Sequence, residues 1–221
     1  MLVVEAYVYN QALVRQGEFM RAQSPSRSDS IIGSPCRGRG FTIVELMVTI
    51  AVAAILLVIA VPSFTNIINT NRLNSAANAM IGALNTARMA AIQQNTSAQF
   101  CSNATGTNTS DTLGTACGGN AGEVFVLTPA ASGTTATKLA EAPAELGASS
   151  IQIHGTVAAI RYNSQGLGYA PGTTTPYSSS TSGNGPVVDL CSTALSTNNH
   201  IQISMAAGSI ISSTPSTGSC P

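Results

Sequence analysis

The sequence predicts an α+β fold in which one long N-terminal helix packs on a small head of two antiparallel β-sheets. Three observations predict it. Residues 41–64 form an apolar run long enough for a membrane helix, and an amphipathic periodicity follows as far as residue 95. Short β-prone segments separated by Gly-, Ser- and Thr-rich stretches make up the rest of the chain. The helix therefore has a membrane half and an amphipathic half.

The apolar run contains no charged residue from Leu46 to Val61. About 20 helical residues, rising about 1.5 Å each, cross a hydrocarbon core about 30 Å thick. Five arginines precede the run, whereas the next basic residue after it is Arg72. Because positively charged flanks stay in the cytoplasm, we expect a single-pass anchor with residues 1–40 inside and the C-terminal part outside.

One carboxylate, Glu45, lies in the first turns of this run. A carboxylate costs about 2.5–3.5 kcal/mol at the bilayer centre and less near the interface, so a plain anchor seldom retains one. The residues around it are Arg37-Gly38-Arg39-Gly40-Phe41-Thr42-Ile43-Val44-Glu45-Leu46. This pattern of basic residues, Gly, an aromatic residue and Glu resembles the processing site of type IV pilins and pseudopilins.

The resemblance implies a processing history for the chain. A prepilin peptidase would cut between Gly40 and Phe41 and would N-methylate Phe41. The mature protein would lie in the inner membrane with its C-terminal domain in the periplasm. Two alternatives stay open: an anchored periplasmic domain that never polymerises, and a start at Met20 that shortens the leader to 21 residues.

Cutting on the cytoplasmic side of the apolar run leaves the anchor attached to the mature protein. A free amine at Phe41 then lies one helical turn from Glu45, on the same face. In a filament, the resemblance implies that Glu45 pairs with the terminal amine of a neighbouring subunit. Near the end of the span, Pro62 lacks a backbone donor and predicts a kink in the helix.

Residues 64–95 are predicted to form the amphipathic half of the helix, which ends near Gln94 or Asn95. Apolar residues recur there at three- and four-residue steps: Leu73, Ala76, Ala77, Met80, Ile81, Leu84, Ala87, Ala91 and Ile92. The end of this stretch, with Arg88 and the following Ala98-Gln99-Phe100-Cys101, resembles the GspH/FimT pseudopilins. Arg88 itself is interpreted as a solvated residue or as a cap for loop carbonyls.

Seven strands are predicted in the β domain, residues 96–221, and their spacing fits two small sheets. They are Ser97–Cys101, Glu123–Leu127, Ser150–His154, Ala159–Asn163, Val187–Cys191, His200–Met205 and Ser209–Ser212. Residues 102–122, 129–138 and 170–186 are predicted to be low-complexity loops.

Removal of the leader removes Cys36 and leaves an even number of cysteines: Cys101, Cys117, Cys191 and Cys220. In an oxidising compartment they predict two disulfides, for which three connectivities are possible. Proximity along the chain favours Cys101 with Cys117 and Cys191 with Cys220. A zinc site is the rival interpretation, but the chain has no C-x2-C pair.

Enzymatic chemistry is not predicted. His154 and His200 have no ligand three to five residues away, so neither a metal nor another cofactor is expected. Asp189, His200 and one of many serines could be drawn as a triad, but no G-x-S-x-G elbow is present. The sequence Gly166-Leu167-Gly168 lacks the third glycine of a phosphate-binding loop.

The charge content argues against nucleic-acid binding. Charged residues make up 8% of the chain with a formal net charge of zero, which also excludes disorder driven by charge. Residues 41–221 hold four Lys and Arg against six Asp and Glu, a net charge of −2. Some FimT-like proteins bind DNA through a Gly-Arg-x-Arg motif, but the matching position here is Gly208-Ser209-Ile210-Ile211.

The sequence thus predicts a cleaved leader at 1–40, a membrane or filament-core helix at 41–63, and the amphipathic and β parts described above. The predicted function is that of a minor pilin or pseudopilin that joins or initiates a type IV pilus or a type II secretion pseudopilus. Its predicted partners are the prepilin peptidase, other pilins and the inner membrane. A DNA-uptake pilin is the disfavoured alternative.

Overall fold

The computed structural model describes residues 41–146 and 150–221, without the side chains of residues 59–62. The predicted leader, including Gly40, lies outside the described residues. The chain divides into two compact units between Met47 and Val48, so the described part of the first unit is residues 41–47.

A long helix, α1 (Ile43–Gln93), forms the N-terminal part of the described chain. The helix continues through Pro62, and the kink predicted there stays a prediction. Asn95 adopts a left-handed conformation with φ of 49°, and the N–H of Thr96 donates to the carbonyl of Ala91 at 3.1 Å. This arrangement is a common helix end, and it stops α1 within two residues of the predicted position.

The second half of α1 buries one stripe of side chains. The stripe consists of Leu73, Ala76, Ala77, Met80, Ala83, Leu84, Ala87, Ala90 and Ala91. The predicted amphipathic periodicity is therefore confirmed, except that Ile81 is partly buried and Ile92 is 41% exposed. Each isoleucine directly follows a member of the stripe, Met80 or Ala91, and the turn of about 100° per residue places it at the edge of the buried face.

The described residues after α1 form nine strands in two antiparallel sheets. The strands are β1 (Ala98–Phe100), β2 (Val124–Ala130), β3 (Gly133–Ala140), β4 (Ile151–Ile153), β5 (Ile160–Tyr162), β6 (Gly168–Tyr169), β7 (Val188–Ser192), β8 (His200–Ala206) and β9 (Ile210–Ser216). The first sheet has the order β3-β2-β1-β5-β6 and the second the order β4-β7-β8-β9. The predicted α+β class with two sheets is confirmed.

Both sheets share one hydrophobic core with α1. The first sheet contributes Phe100, Ile160 and Tyr162, and the second contributes Leu190, Ile203 and Met205. All six side chains are at most 2% exposed. The buried stripe of the helix is therefore the common partner of the two sheets.

Two of the predicted loops are wrong. Residues 129–138 belong largely to the hairpin of β2 and β3, which pair from Val124 with Ala140 to Ala130 with Gly133. Residues 102–122 contain a short helix, α2 (Thr112–Cys117), after a 3-10 turn. The strand β6 was also not predicted. Residues 170–186, all of them described, contain no named helix or strand.

Two disulfides lie within the β domain. Cys101, which follows β1, is bonded to Cys117 at the end of α2, with a Cα–Cα distance of 5.4 Å. Cys191 in β7 is bonded to Cys220 near the end of the chain, with a Cα–Cα distance of 5.7 Å. These are the pairs that proximity along the chain favours.

A partly exposed polar network joins the first sheet to α2. Arg161 on β5 donates from Nη2 to Oδ1 of Asp111 at 2.8 Å and from Nε to Oε1 of the fully buried Gln99 at 3.0 Å. Asp111 is also the N-cap of α2 and accepts from the N–H of Gly114 at 3.0 Å. The hydrogen bond from Arg161 is the main cause that lowers the pKa of Asp111 to about 2.

Substitution of Leu84 tests the buried stripe. Because Leu84 is fully buried, Leu84→Ala is expected to lower the free energy of unfolding by about 2–5 kcal/mol. Met89 is 51% exposed, and Met89→Ala is expected to change it by less than about 0.5 kcal/mol. Denaturant unfolding of the detergent-solubilised protein, followed by circular dichroism, measures both. Equal losses would contradict the assignment of the packed face.

The network around Asp111 predicts a pH dependence of stability. A carboxyl with a lowered folded-state pKa stabilises the protein above its unfolded pKa, and this contribution is lost as the pH falls toward the folded value. The Tm is therefore expected to fall between about pH 4 and about pH 2, and Asp111→Asn should reduce this fall. Thermal unfolding at a series of pH values measures it, and an equal fall in both proteins would be the contradicting result.

Candidate functional site

The first turn of α1 carries the predicted assembly site. Oγ1 of Thr42 accepts a hydrogen bond from the N–H of Glu45 at 3.1 Å, and its carbonyl accepts one from the N–H of Leu46 at 3.1 Å. Thr42 is therefore the N-cap of α1, with Glu45 at the third helical position. The Thr-x-x-Glu spacing is a capping-box signature, which the sequence analysis missed although it marks the helix start.

Glu45 is exposed at the positive end of the helix dipole. A carboxylate in the first turn of an exposed helix is stabilised by about 0.3–1 kcal/mol. Since Thr42 already accepts from the N–H of Glu45, the cap of that N–H does not depend on the carboxylate. Phe41 precedes the cap and is 77% exposed, whereas Gly40 lies outside the described residues.

Apolar side chains of the first half of α1 are exposed around the helix. They include Ile43, Val44, Leu46, Met47, Val48, Ile50, Val52, Ile55, Leu56, Leu57, Val58, Phe64, Ile67 and Ile68, and Phe41 just before the helix is exposed as well. The most apolar 18-residue window has a mean hydropathy of 2.8, and none of it is buried. By length and composition the helix can cross a membrane. An apolar surface of this extent is unusual on a soluble monomer and indicates a covering partner.

The cations of the β domain are engaged in contacts within the chain. Nζ of Lys138 lies 2.8 Å from a carboxylate oxygen of Glu123 and 2.9 Å from one of Glu141. Arg161 is held by Asp111, as described above. On α1, Arg88 donates from Nη1 to the carbonyl of Ser209 at 3.3 Å, which confirms its interpretation as a cap for loop carbonyls.

A second cluster lies on the second sheet and adds His154 to the Asp189 and His200 pair that the sequence analysis considered. Nδ1 of His200 is 3.0 Å from Oδ1 of Asp189, and Nδ1 of His154 is 3.3 Å from Oδ2. Nε2 of His200 is buried and has no hydrogen-bond partner among the described residues. The Asp189–His200 pair therefore has no serine in the triad position within that part of the chain.

Comparison with known proteins gives two family matches. A prokaryotic N-terminal methylation motif matches residues 36–61, which include the predicted cut, Glu45 and most of the apolar run. The family described as type II transport protein GspH matches residues 76–206, from the packed half of α1 to the end of β8. No curated protein and no solved structure gives a significant match. Since the second match covers more than half of the chain, the chain belongs to the family of type II transport protein GspH.

Proposed function

We propose that the chain is a minor pilin or pseudopilin, a structural subunit without enzymatic activity. A prepilin peptidase cuts it between Gly40 and Phe41 and N-methylates Phe41, and the mature subunit joins or initiates a type IV pilus or a type II secretion pseudopilus. The observation that carries this proposal is the exposed apolar half of α1, most of which lies within an N-methylation motif in a chain of the GspH family.

Before assembly, the first half of α1 anchors the subunit in the inner membrane. The five arginines before the apolar run favour a cytoplasmic leader, which directs the β domain to the periplasm. The two disulfides support this location, since such bonds persist in oxidising compartments and are rare in the cytosol.

During assembly, the exposed apolar surface leaves the lipid and packs against the same helix of neighbouring subunits. The small residues Ala51, Ala53 and Ala54 on this half allow helices to approach closely. A carboxylate that enters such a helix bundle is costly unless an opposite charge pairs with it. Glu45 therefore pairs with the terminal amine of a neighbour, and this requirement fixes the axial register of the subunits.

DNA is not a proposed partner. Affinity for DNA depends mainly on the phosphates that a protein neutralises, and ordinary binders make about six to ten such contacts. Residues 41–221 carry a net charge of −2. Lys138 and Arg161 are each paired with carboxylates of their own domain, so they offer little charge to a phosphate.

Substitutions at the first turn separate the assembly role of Glu45 from its position in a capping box. Gln replaces Glu in capping boxes, so Glu45→Gln keeps the helix start but removes the charge. We expect Glu45→Gln and Glu45→Ala to abolish incorporation into filaments while membrane insertion is retained. Thr42→Val removes the cap acceptor but keeps the carboxylate, and we expect it to retain most incorporation.

Immunodetection of each variant in purified filaments and in the membrane fraction measures the two steps. Normal incorporation of Glu45→Gln would contradict the pairing. Loss of incorporation in Thr42→Val alone would assign the function of the first turn to capping.

Processing is tested by mass spectrometry of the mature N-terminus. We expect the native protein to begin at Phe41 and to carry one additional methyl group on the α-amine. Gly40→Val should leave the leader attached, because a branched side chain replaces the hydrogen of the residue before the cut. A native protein that retains residues upstream of Phe41 would support the anchored, non-polymerising alternative.

A further inference from the structure

The chain contains two histidines, and the structure brings both to the same carboxylate. His154 directly follows β4, Asp189 lies in β7 and His200 begins β8, and these strands are neighbours in the second sheet. The N–H of His154 donates to the carbonyl of Asp189 at 2.8 Å, and His200 pairs with Cys191 in the β7–β8 ladder. The backbone register of three strands therefore holds the three side chains together.

We propose that His154, Asp189 and His200 bind a divalent transition-metal ion, with Zn²⁺ as the best fit. One donor atom from each residue lies within 4.8 Å of the other two. The two nitrogen–oxygen distances are 3.0 and 3.3 Å. Ligands about 2.0–2.1 Å from a tetrahedral Zn²⁺ are about 3.3 Å apart, and imidazole nitrogen and carboxylate oxygen are among its usual ligands.

The charge balance of the cluster favours a cation. Asp189 is 8% exposed, and among the described residues its ion-pair partners are the two histidines. Gln202 adds a neutral hydrogen bond from Nε2 to Oδ2 at 3.3 Å. A buried carboxylate is costly unless a positive charge compensates it. A bound divalent ion would compensate the carboxylate directly.

The C-terminal segment holds the ring of His200. The disulfide between Cys191 and Cys220 attaches this segment to β7, and Asn199 exchanges two hydrogen bonds with Gly218 at 2.8 and 3.0 Å. A side-chain carbon at Gly218 would lie 3.1 Å from Nε2 of His200. Since Nε2 faces this segment and Nδ1 faces Asp189, Nδ1 is the metal ligand.

The site is accessible from one side. The side chain of His154 is 46% exposed, and His154 and Asp189 line a cavity of about 620 Å³. Three protein ligands leave one position of a tetrahedral ion for water or for a small ligand in the cavity. Coordination through Nδ1 of His200 requires the tautomer that carries its proton on Nε2, so the hydrogen bond between Nδ1 and Oδ1 of Asp189 is replaced by the metal. This proposal goes beyond filament assembly and does not depend on it.

Calorimetric titration of the detergent-purified full chain with Zn²⁺ tests the proposal. The protein carries no polyhistidine tag, is first treated with a chelator, and contains Cys36→Ser because a free thiol also binds Zn²⁺. We expect one ion per chain and a higher Tm in the presence of Zn²⁺. Co²⁺ in place of Zn²⁺ should give the visible absorption of a tetrahedral site.

Variants of the ligands identify the site. His154→Ala and Asp189→Asn should each weaken Zn²⁺ binding by at least about tenfold. Loss of a residue that only supports a metal ligand already lowers metal affinity by about that factor, and loss of a ligand itself should lower it at least as much. Thr156 lines the same cavity, and Thr156→Ala should bind Zn²⁺ as the wild type does. Because His154 is half exposed, its variant should fold, which circular dichroism checks. Absence of Zn²⁺ binding to the wild type, or equal binding by wild type and His154→Ala, would overturn the proposal.

Discussion

The packing of one face of α1 against both sheets is the constraint on which the rest of the structure depends. Between Leu73 and Ala91 this face consists mostly of alanine, so the sheets can approach the helix closely. The large side chains of the core come instead from the strands, among them Phe100 and Tyr162. Because these contacts begin at Leu73, the preceding half of α1 has no partner of this kind within the described chain and exposes its apolar surface. The two halves of one helix are thus suited to two different surroundings.

The architecture could be predicted because its main signals are local and periodic. The apolar run and the three- and four-residue spacing predict α1, and alternating apolar residues predict most strands. The hairpin strand β3 was missed because its Thr-rich sequence was interpreted as low complexity, although β-branched threonines favour strands. The helix α2 was missed because it depends on a cap by Asp111 and on Gly114, where a side-chain carbon would lie 1.8 Å from the carbonyl of Asn108.

The two candidate sites also differ in whether their sequence signals are local. Glu45 could be identified from sequence because its signals are local: basic residues and a glycine lie within ten residues before it, and the apolar run directly follows it. The cluster of His154, Asp189 and His200 could not, because its members come from three strands and are separated by 35 and 11 positions in the chain. Short ligand spacing along the chain therefore does not detect this cluster. Strand register, which no local pattern specifies, brings these residues together.

The start of α1 suggests how one carboxylate can serve a subunit both in lipid and in a filament. A helix start needs acceptors for its first N–H groups, and Thr42 supplies one for Glu45. In the reciprocal half of a capping box, the carboxylate of Glu45 would accept from the N–H of Thr42, and pairing with a neighbouring amine would compete with that bond. The bond seen in the first turn is the half that Thr42 supplies, and the carboxylate lies near the membrane interface before assembly, where its cost is small. In the proposed filament it would meet a neighbouring amine while Thr42 keeps its cap, so that the same turn would stabilise the free subunit and align the assembled one.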